Sequence, residues 1–413
     1  MESRKRKILI HSLVFSPDGV STAYLYNDIA IALKNNGYDV VVLSTTPHFN
    51  RIKELSEKQQ LKWGCWGLFK KSVFNGIHVY HVPQKKFNST ILRLFGFIYW
   101  HIVSFFIALS IKNVDLILSP SPPLTIGLVN VYLGRIKHCK VIYNVQEIYP
   151  DILGLGNGML YRFLSSIEKR IYNQSSAVTT IDEVFYNNIV NRFQNREKLH
   201  VIPNFVDTEL YHSDVSVDIL DNKIFHKSNS IKLLYAGNIG FAQDWETLIC
   251  LVQKTKNLDI EFFVIGEGVK KIELEEHKEM LNLDKLHIIP YQPRNMMPAI
   301  LAYSDIQFIF MNRDMEMQGF PSKVYTIMAC GRPLLVSSGE RTPIVNFLSP
   351  LNCAKLITDH DVGMKTDKMV EWLSHVTKAE LLQMGKSGEE VIKQHYSKEI
   401  VTKQYIDLID SLL

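Results

Sequence analysis

The sequence predicts an α/β fold built from two doubly wound, Rossmann-like domains. Three observations carry this. Short continuous apolar runs alternate with helix-period segments through the first 200 residues, the same alternation restarts near residue 231, and each half opens with a small-residue turn after its first strand. Apolar runs separated by helices indicate parallel sheets covered on both faces, and such sheets bind ligands beyond the carboxyl ends of their strands.

In the first half, Lys7 to His11 reads as a strand, Thr22 to Asn36 as a helix closed by Gly37, and Asp39 to Ser44 as the second strand. Asp115 to Ser119, Lys140 to Asn144 and Ala177 to Ile181 are further strands with helical stretches between them. From about Tyr211 to Ser230 the chain is polar and unpatterned, which places a linker over Pro203 to Ser230. Ile231 to Ala236 is then a strand running into Gly237-Asn238-Ile239-Gly240, Trp245 to Lys256 a helix, and Glu261 to Ile265 a strand ending in Gly266-Glu267-Gly268. His287 to Pro290, Ile306 to Phe310 and Pro333 to Ser337 continue the pattern, and Lys398 to Leu413 is a closing helix with no strand after it. The expected domains are residues 1–205 and 225–397, with the crevice between them as the default ligand site.

Composition sets the bounds. A chain of 413 residues with 46% hydrophobic and 21% charged residues is neither disordered nor fibrous. Its formal charge of +4 is too small for a dedicated nucleic-acid binder. Five scattered cysteines without a C-x-x-C pair read as free thiols in a reducing compartment. Arg4-Lys-Arg-Lys7 precedes Ile8-Leu-Ile10, but His11 and Ser12 interrupt that run, so it reads as a first strand of a cytoplasmic chain and not as a signal peptide. The segment Ile91 to Ile111 is long enough to span a membrane, yet His101 lies near its middle and both flanks belong to one sheet. A helix buried against the sheet, or lying in a membrane interface, fits it better.

The glycines of the two opening turns, Asp18-Gly-Val-Ser-Thr22 and Gly237-Asn-Ile-Gly240, would let backbone N–H groups approach an anion, and plain strand-to-helix turns would look the same. The absence of G-x-G-x-x-G and of a Walker GK[ST] argues against dinucleotide redox chemistry and P-loop phosphoryl transfer. The richest constellation is Met317 to Pro333, where a Gly-Phe-Pro turn opens a helix with Ser322 and Lys323 in its first turn. Lysine is disfavoured at that end of a helix, so Lys323 is misplaced for stability and well placed to meet a bound anion; the alternative is a long stem carrying its charge out to water. Ser322 could be a routine cap.

The chain resembles the GT-B glycosyltransferases of the retaining family 4, in the branch of WbuB-like and WcaI-like enzymes that build capsule, O-antigen and colanic-acid sugars. The resemblance rests on Phe15-Ser-Pro-Asp-Gly19, Ser119-Pro-Ser-Pro-Pro123, Tyr143-Asn-Val-Gln-Glu-Ile-Tyr-Pro-Asp151, Val201-Ile-Pro-Asn-Phe-Val-Asp207, Tyr235-Ala-Gly-Asn-Ile-Gly240, Ile265-Gly-Glu-Gly268 and Phe320-Pro-Ser-Lys-Val-Tyr-Thr-Ile-Met-Ala-Cys-Gly-Arg-Pro333. It implies that the C-terminal domain binds a nucleotide-sugar donor and the N-terminal domain an acceptor, with the helix 398–413 packing back on the latter. By position it places Gly237, Asn238, Gly240 and Gln243 by the diphosphate, and Gly266, Glu267 and Gly268 near the nucleoside. Gln318, Gly319, Pro321, Ser322 and Lys323 would lie over the sugar and phosphates, and Thr326 by the ribose hydroxyls. Family 4 usually carries Glu-x7-Glu where this chain has Gln318 and Thr326, and an Arg and a Lys where it has Asn238 and Gln243. Lys323 is thereby the foremost phosphate cation, with Arg294 and Arg313 behind it.

On the acceptor side, Glu147 could orient or deprotonate the acceptor hydroxyl, or instead cap the segment before Pro150. Gln146, Asp151, Asp18 and Gly19 are further candidates, and His11 either lines the crevice or is a satisfied core histidine. Asp359-His-Asp361 falls in a polar turn far from the glycine turns and is not read as a metal site, while Asp314-Met-Glu316 reads as shaping its loop. The resemblance therefore implies a sugar transferase that uses a nucleoside diphosphate sugar without a metal or other cofactor. Its acceptor would be a lipid-linked glycan at the cytoplasmic membrane face, with peripheral membrane contact and no nucleic-acid partner. A nucleotide-sugar epimerase and a non-catalytic nucleotide-sugar-binding subunit are the alternatives on this fold.

Overall fold

The computed structural model describes residues 4–413 apart from 65–66, 86–88, 155, 157, 227 and 317–319. The chain divides into two compact units, Met1–Asn204 with Glu399–Leu413, and Phe205–Lys398.

The first unit holds β1 (Lys7–His11), β2 (Asp39–Thr45), β3 (Lys62–Trp63), β4 (Lys70–Phe74), β5 (Ile77–Val82), β6 (Leu116–Pro120), β7 (Lys140–Val145), β8 (Ala177–Thr180) and β9 (Leu199–Val201). They form one sheet in the order β3-β4-β5-β2-β1-β6-β7-β8-β9. Pairing is parallel from β5 through to β9, and antiparallel where β4 meets β3 and β5. Ile8, Leu9, Ile10, Leu116, Ile117 and Leu118 are wholly buried, as expected of central strands covered on both faces. The antiparallel β4–β5 hairpin turns at Asn75 and Gly76, both with positive φ. An Asn-Gly pair between two strands is a strong short-range hairpin signal, and it lies outside the continuous-run pattern that reveals the parallel strands.

The helix Lys398–Leu412 buries Val401, Tyr405 and Ile409. Asn144, at the end of β7, donates to the Tyr405 hydroxyl at 3.0 Å and to Thr179 at 2.8 Å, while the Tyr26 hydroxyl donates to the Asn144 side-chain oxygen. A wholly buried asparagine with every polar atom engaged fixes how this last helix seats on the first unit.

Only one stripe of the helix Thr90–Ser110 is covered: its buried residues are Trp100, Ser104, Ile107 and Ala108. It is a surface helix anchored on one side, and among the described residues it is the one helix long and apolar enough to cross a membrane. A crossing is incompatible with the sheet, because β5 and β6 on either side of it join the same parallel array.

The second unit holds β10 (Ile231–Ala236), β11 (Ile260–Ile265), β12 (Leu286–Ile289), β13 (Ile306–Phe310), β14 (Leu334–Ser337) and β15 (Ala354–Ile357). All six pair in parallel, in the order β12-β11-β10-β13-β14-β15. This is the doubly wound 3-2-1-4-5-6 arrangement, whose strand order reverses between β10 and β13; ligands bind at the carboxyl edge of that reversal. The polar stretch 211–230 is not a free linker. Tyr211, Leu220 and Phe225 are buried in the core of this unit beside Ile300 and Met328, and three apolar residues spaced that widely leave no periodic trace in sequence.

Candidate active site

The site is built from backbone first. After β10 the chain turns at Gly237, and after β11 at Gly266, both with positive φ. The two turns are laced together: Gly237 N–H donates to Ile265 O at 2.9 Å, Ile239 N–H to Glu267 O at 2.9 Å, and Lys270 N–H to Ile239 O at 2.9 Å. A Cβ on Gly266 would lie 1.9 Å from Gly237 O, and one on Gly268 would lie 2.2 Å from Ile239 O. These glycines are required by one backbone pressing on another, so Gly266 and Gly268 let the turn after β11 pack against the turn after β10. Gly266→Ala is expected to cost about 1–3 kcal/mol as an overpacking change, read as a lower urea midpoint with an unchanged m-value.

Onto this platform comes Lys323. It opens the helix Lys323–Ala329 that follows β13, and its side chain returns across the β10–β13 reversal. Nζ donates to Ala236 O at 3.1 Å and stands 3.8 Å from the centre of the Tyr235 ring. A Cβ on Gly237 would approach that Nζ to 2.5 Å, so the bare glycine is what admits the ammonium. The ring is held in turn, because the Tyr235 hydroxyl donates to Asn238 O at 2.7 Å. Burial, with no charged neighbour contributing, lowers the Lys323 pKa to about 7. The stem does not carry the charge to water. Among the described residues this ammonium offers its three donors to one carbonyl and one ring face, which leaves it under-coordinated, and an arriving anion would complete it.

The other donor-side candidates fall around this point. Asn238 is exposed at the tip of the turn, while Gly240 is buried and its carbonyl accepts from Trp245 Nε1 at 2.9 Å. Gln243 lies against Met311 at the end of β13, with its side-chain oxygen buried and, among the described residues, unpartnered. Glu267 is turned outward and paired with Lys271 at 2.9 Å, so its carboxylate is engaged on the surface. Ser322 is exposed and makes no side-chain cap. Pro321 accepts the Val324 N–H through its carbonyl. The Thr326 hydroxyl donates to Lys323 O at 2.8 Å, which leaves it able only to accept from a ribose. Gln318 and Gly319 lie outside the described residues. Arg313 is exposed, and Arg294 lies in the turn before the helix Met297–Tyr303.

Further residues frame this edge. Glu316 is buried and accepts Gly339 N–H at 2.7 Å, tying the loop after β13 to the end of β14. Asp244 caps the helix Trp245–Lys254 and pairs with the buried Lys365. The aspartate before a helical run signals the cap; its partner, 121 residues away, has no local signal. Asp359 is paired with Lys368 at 2.7 Å, and Asp361 caps the helix Val362–His375, which accounts for both carboxylates of the D-x-D. Among the described residues no group of three or more His, Cys, Asp or Glu is arranged to hold a metal ion.

In the first unit, Glu147 stands just beyond the carboxyl end of β7, half-buried. Burial raises its pKa against the opposing effect of its bond to the Tyr149 hydroxyl. The neighbouring candidates are engaged within the first unit. Asp18 is 2% exposed and accepts from the backbone N–H groups of His48, Phe49 and Asn50 at 3.0 to 3.1 Å, which uses its carboxylate as a loop anchor. Gly19 packs against Ile52, whose side chain a Cβ there would approach to 2.3 Å. Gln146 spends its amide on Asn144 at 2.8 Å and on Asn204 at 3.0 Å. Asp151 is paired with Arg192, which also holds the buried Glu168 at 2.6 Å. His11 is a core histidine: Asn130 donates to Ser119, so its oxygen accepts from His11 Nδ1 at 2.7 Å, and burial lowers the imidazole pKa to about 4.

The Glycosyltransferase Family 4 model matches residues 23–210, and the Glycosyl transferases group 1 model matches residues 216–379, so that between them they account for most of both units. The chain belongs to glycosyltransferase family 4. This family 4 glycosyltransferase is 22% identical over 351 residues to the putative colanic acid biosynthesis glycosyl transferase WcaI of Escherichia coli K12, covering 82% of this chain and 84% of that protein. Its fold matches sucrose-phosphate synthase from Thermosynechococcus elongatus with a TM-score of 0.75 at 13% identity, over 99% of both chains. It also matches HepE of Anabaena, solved with UDP-glucose, with a TM-score of 0.70 at 14% identity, over 98% of this chain and 100% of that one. The fold is therefore GT-B, as the two doubly wound sheets indicate.

Proposed function

We propose that this enzyme transfers a sugar, with retention, from a nucleoside diphosphate sugar to a hydroxyl of a lipid-linked glycan in surface polysaccharide biosynthesis, at the cytoplasmic face of the membrane. The observation that carries the reading is Lys323, half-buried at the strand reversal of the second unit and without a carboxylate partner among the described residues. A leaving nucleoside diphosphate gathers negative charge as the glycosidic bond breaks, and a cation already in place for that charge lowers the barrier without reorganising. Lys323 fills that role, the Gly237 turn supplies the space for phosphate beside it, and Glu147 holds or deprotonates the acceptor hydroxyl. With the charge supplied by lysine, no metal is required, and transfer is expected to persist in EDTA. The colanic-acid name of the WcaI relative and the UDP-glucose bound to HepE support the polysaccharide setting and the donor class.

The test is a thermal-shift panel of UDP-, GDP- and dTDP-sugars, because a ligand bound only by the folded state raises its melting temperature. One nucleotide class should shift the wild type by several degrees and leave Lys323→Ala unmoved. A shift that survives in the variant would remove Lys323 from the diphosphate site.

A further inference from the structure

The helix Thr90–Ser110 wears its apolar residues on the wrong side for a protein surrounded by water. Ile91, Phe95, Ile98, Ile102 and Phe106 follow one another at helical spacing, and all are exposed, Ile91, Phe95 and Phe106 by more than 60%. In the middle of the helix the polar side chains face the protein instead: His101 bonds Thr125 at 2.9 Å and Phe97 O at 2.8 Å, and Ser104 is buried. A surface helix normally shows the reverse arrangement, and exposed apolar patches of this extent mark interaction sites.

A second apolar edge lies in the same layer. The helix Leu124–Lys137 separates the two, joined to the first through Thr125 and to the helix Met159–Gln174 through Arg170 over the Tyr132 ring. Met159, Leu160 and Phe163 of that third helix are exposed, Met159 by 90%. Each of these helices connects two parallel strands, so each runs against the sheet and begins at its carboxyl edge. The exposed starts of the first and third helices therefore rim the edge from which Glu147 emerges.

Charge selects the occupant. From Lys58 to Val114 the chain carries eight Lys and Arg and no Asp or Glu. Within that stretch Trp63 is exposed with Lys70 over its ring at 4.7 Å, and the Tyr99 hydroxyl ties the helix to Leu68 O beside this hairpin. Arg93 and Arg162 stand exposed among the two apolar edges. An apolar stripe flanked by cations and an exposed tryptophan is the composition of a surface that enters the headgroup layer of an anionic bilayer.

We infer that the outer stripe of the helix Thr90–Ser110, together with the start of the helix Met159–Gln174, is a docking surface for an anionic lipid bilayer, holding the carboxyl edge that bears Glu147 against the membrane. This deepens the reading of the acceptor as lipid-linked, since the lipid would meet the enzyme at the edge where the acceptor hydroxyl is needed.

Flotation of the full-length protein with vesicles tests it, using phosphatidylglycerol–phosphatidylcholine vesicles against phosphatidylcholine alone. The protein should float with the anionic vesicles, several-fold less with the neutral ones, and less again in high salt. Phe95→Glu combined with Phe163→Glu should reduce flotation at least tenfold while leaving the melting temperature and the nucleotide-sugar shift unchanged, because both side chains are exposed. Absence of wild-type flotation, or equal flotation of the variant, would overturn the inference. So would a wild-type dimer on gel filtration that the variant converts to monomer without any vesicle binding, which would assign the face to self-association. Flotation involves no sugar transfer, so a failure here leaves the transferase reading standing, and a failed transfer assay leaves the surface standing.

Discussion

Lys323→Met is expected to lower kcat/KM about 10²–10³-fold, the loss typical of removing one preorganised group that stabilises developing negative charge, while the ligand-free protein melts no lower than the wild type and somewhat higher. The two effects share one cause. In the folded state the lysine pKa falls from 10.5 to about 7, so between those values the folded protein binds fewer protons than the unfolded chain, and stability rises with pH across that window. The penalty of the buried ammonium is full below about pH 7 and fades as the pH climbs toward 10.5. Methionine keeps the stem's volume and removes the charge, so its stabilising effect should be largest near neutrality and vanish at high pH. A change that raises stability and destroys turnover is the behaviour of a residue kept for chemistry at the expense of folding. A variant that melted lower and transferred sugar normally would make Lys323 a packing residue. Melting curves and initial rates from one preparation decide between these.

Glu147→Gln is expected to reduce kcat about 10²–10⁴-fold, the usual contribution of a general acid–base group, with little change in the donor's apparent affinity. The amide preserves the shape and the contact with Tyr149, so the loss reports the carboxylate's ability to accept a proton. Burial raises the pKa of this group, and a base works in its ionised form. The wild-type rate should therefore climb with pH through a value above that of an ordinary glutamate, and that acid limb should be missing from the variant's profile. If the variant keeps the limb and loses only acceptor affinity, Glu147 orients the acceptor without taking its proton.

Much of the scaffold is legible in the residues. Parallel strands buried on both faces are mostly apolar, which makes β1 and β6 readable directly, and β10 and β11 keep four apolar residues in a row after Lys232 and Glu261. Shorter or half-exposed strands carry no such run: Lys355 interrupts β15, β9 has three residues, and β3 is exposed. At the site, Lys323 is legible because a lysine opening a helix contradicts the dipole. That its ammonium rests on the Tyr235 ring is not, since the two are 88 positions apart and only the reversal between β10 and β13 joins them. The anchoring roles of Asp18 and Asp151 are hidden for the same reason. Their partners, the 48–50 backbone and Arg192, are fixed by tertiary structure, and an aspartate committed to a loop looks like one available for catalysis until those partners are seen. The glycines at 266 and 268 are ambiguous in a further way: a turn that must admit another backbone and a turn that must admit a phosphate call for the same residue.

The most direct test of the central claim is the proton balance of donor binding. The diphosphate of a nucleotide sugar is a diester that does not titrate near neutrality, so any proton taken up on binding comes onto the protein. At pH 8 most of the free enzyme has Lys323 neutral, with its pKa at about 7, and a bound diphosphate would hold it charged. Titration calorimetry with the nucleotide sugar that the thermal-shift panel selects, repeated in buffers of different ionisation enthalpy, should show uptake approaching one proton per donor at pH 8, little at pH 6, and none at either pH for Lys323→Met. Donor binding with no proton uptake at pH 8, or with the same uptake in the variant, would contradict the assignment of Lys323 as the cation of the diphosphate site.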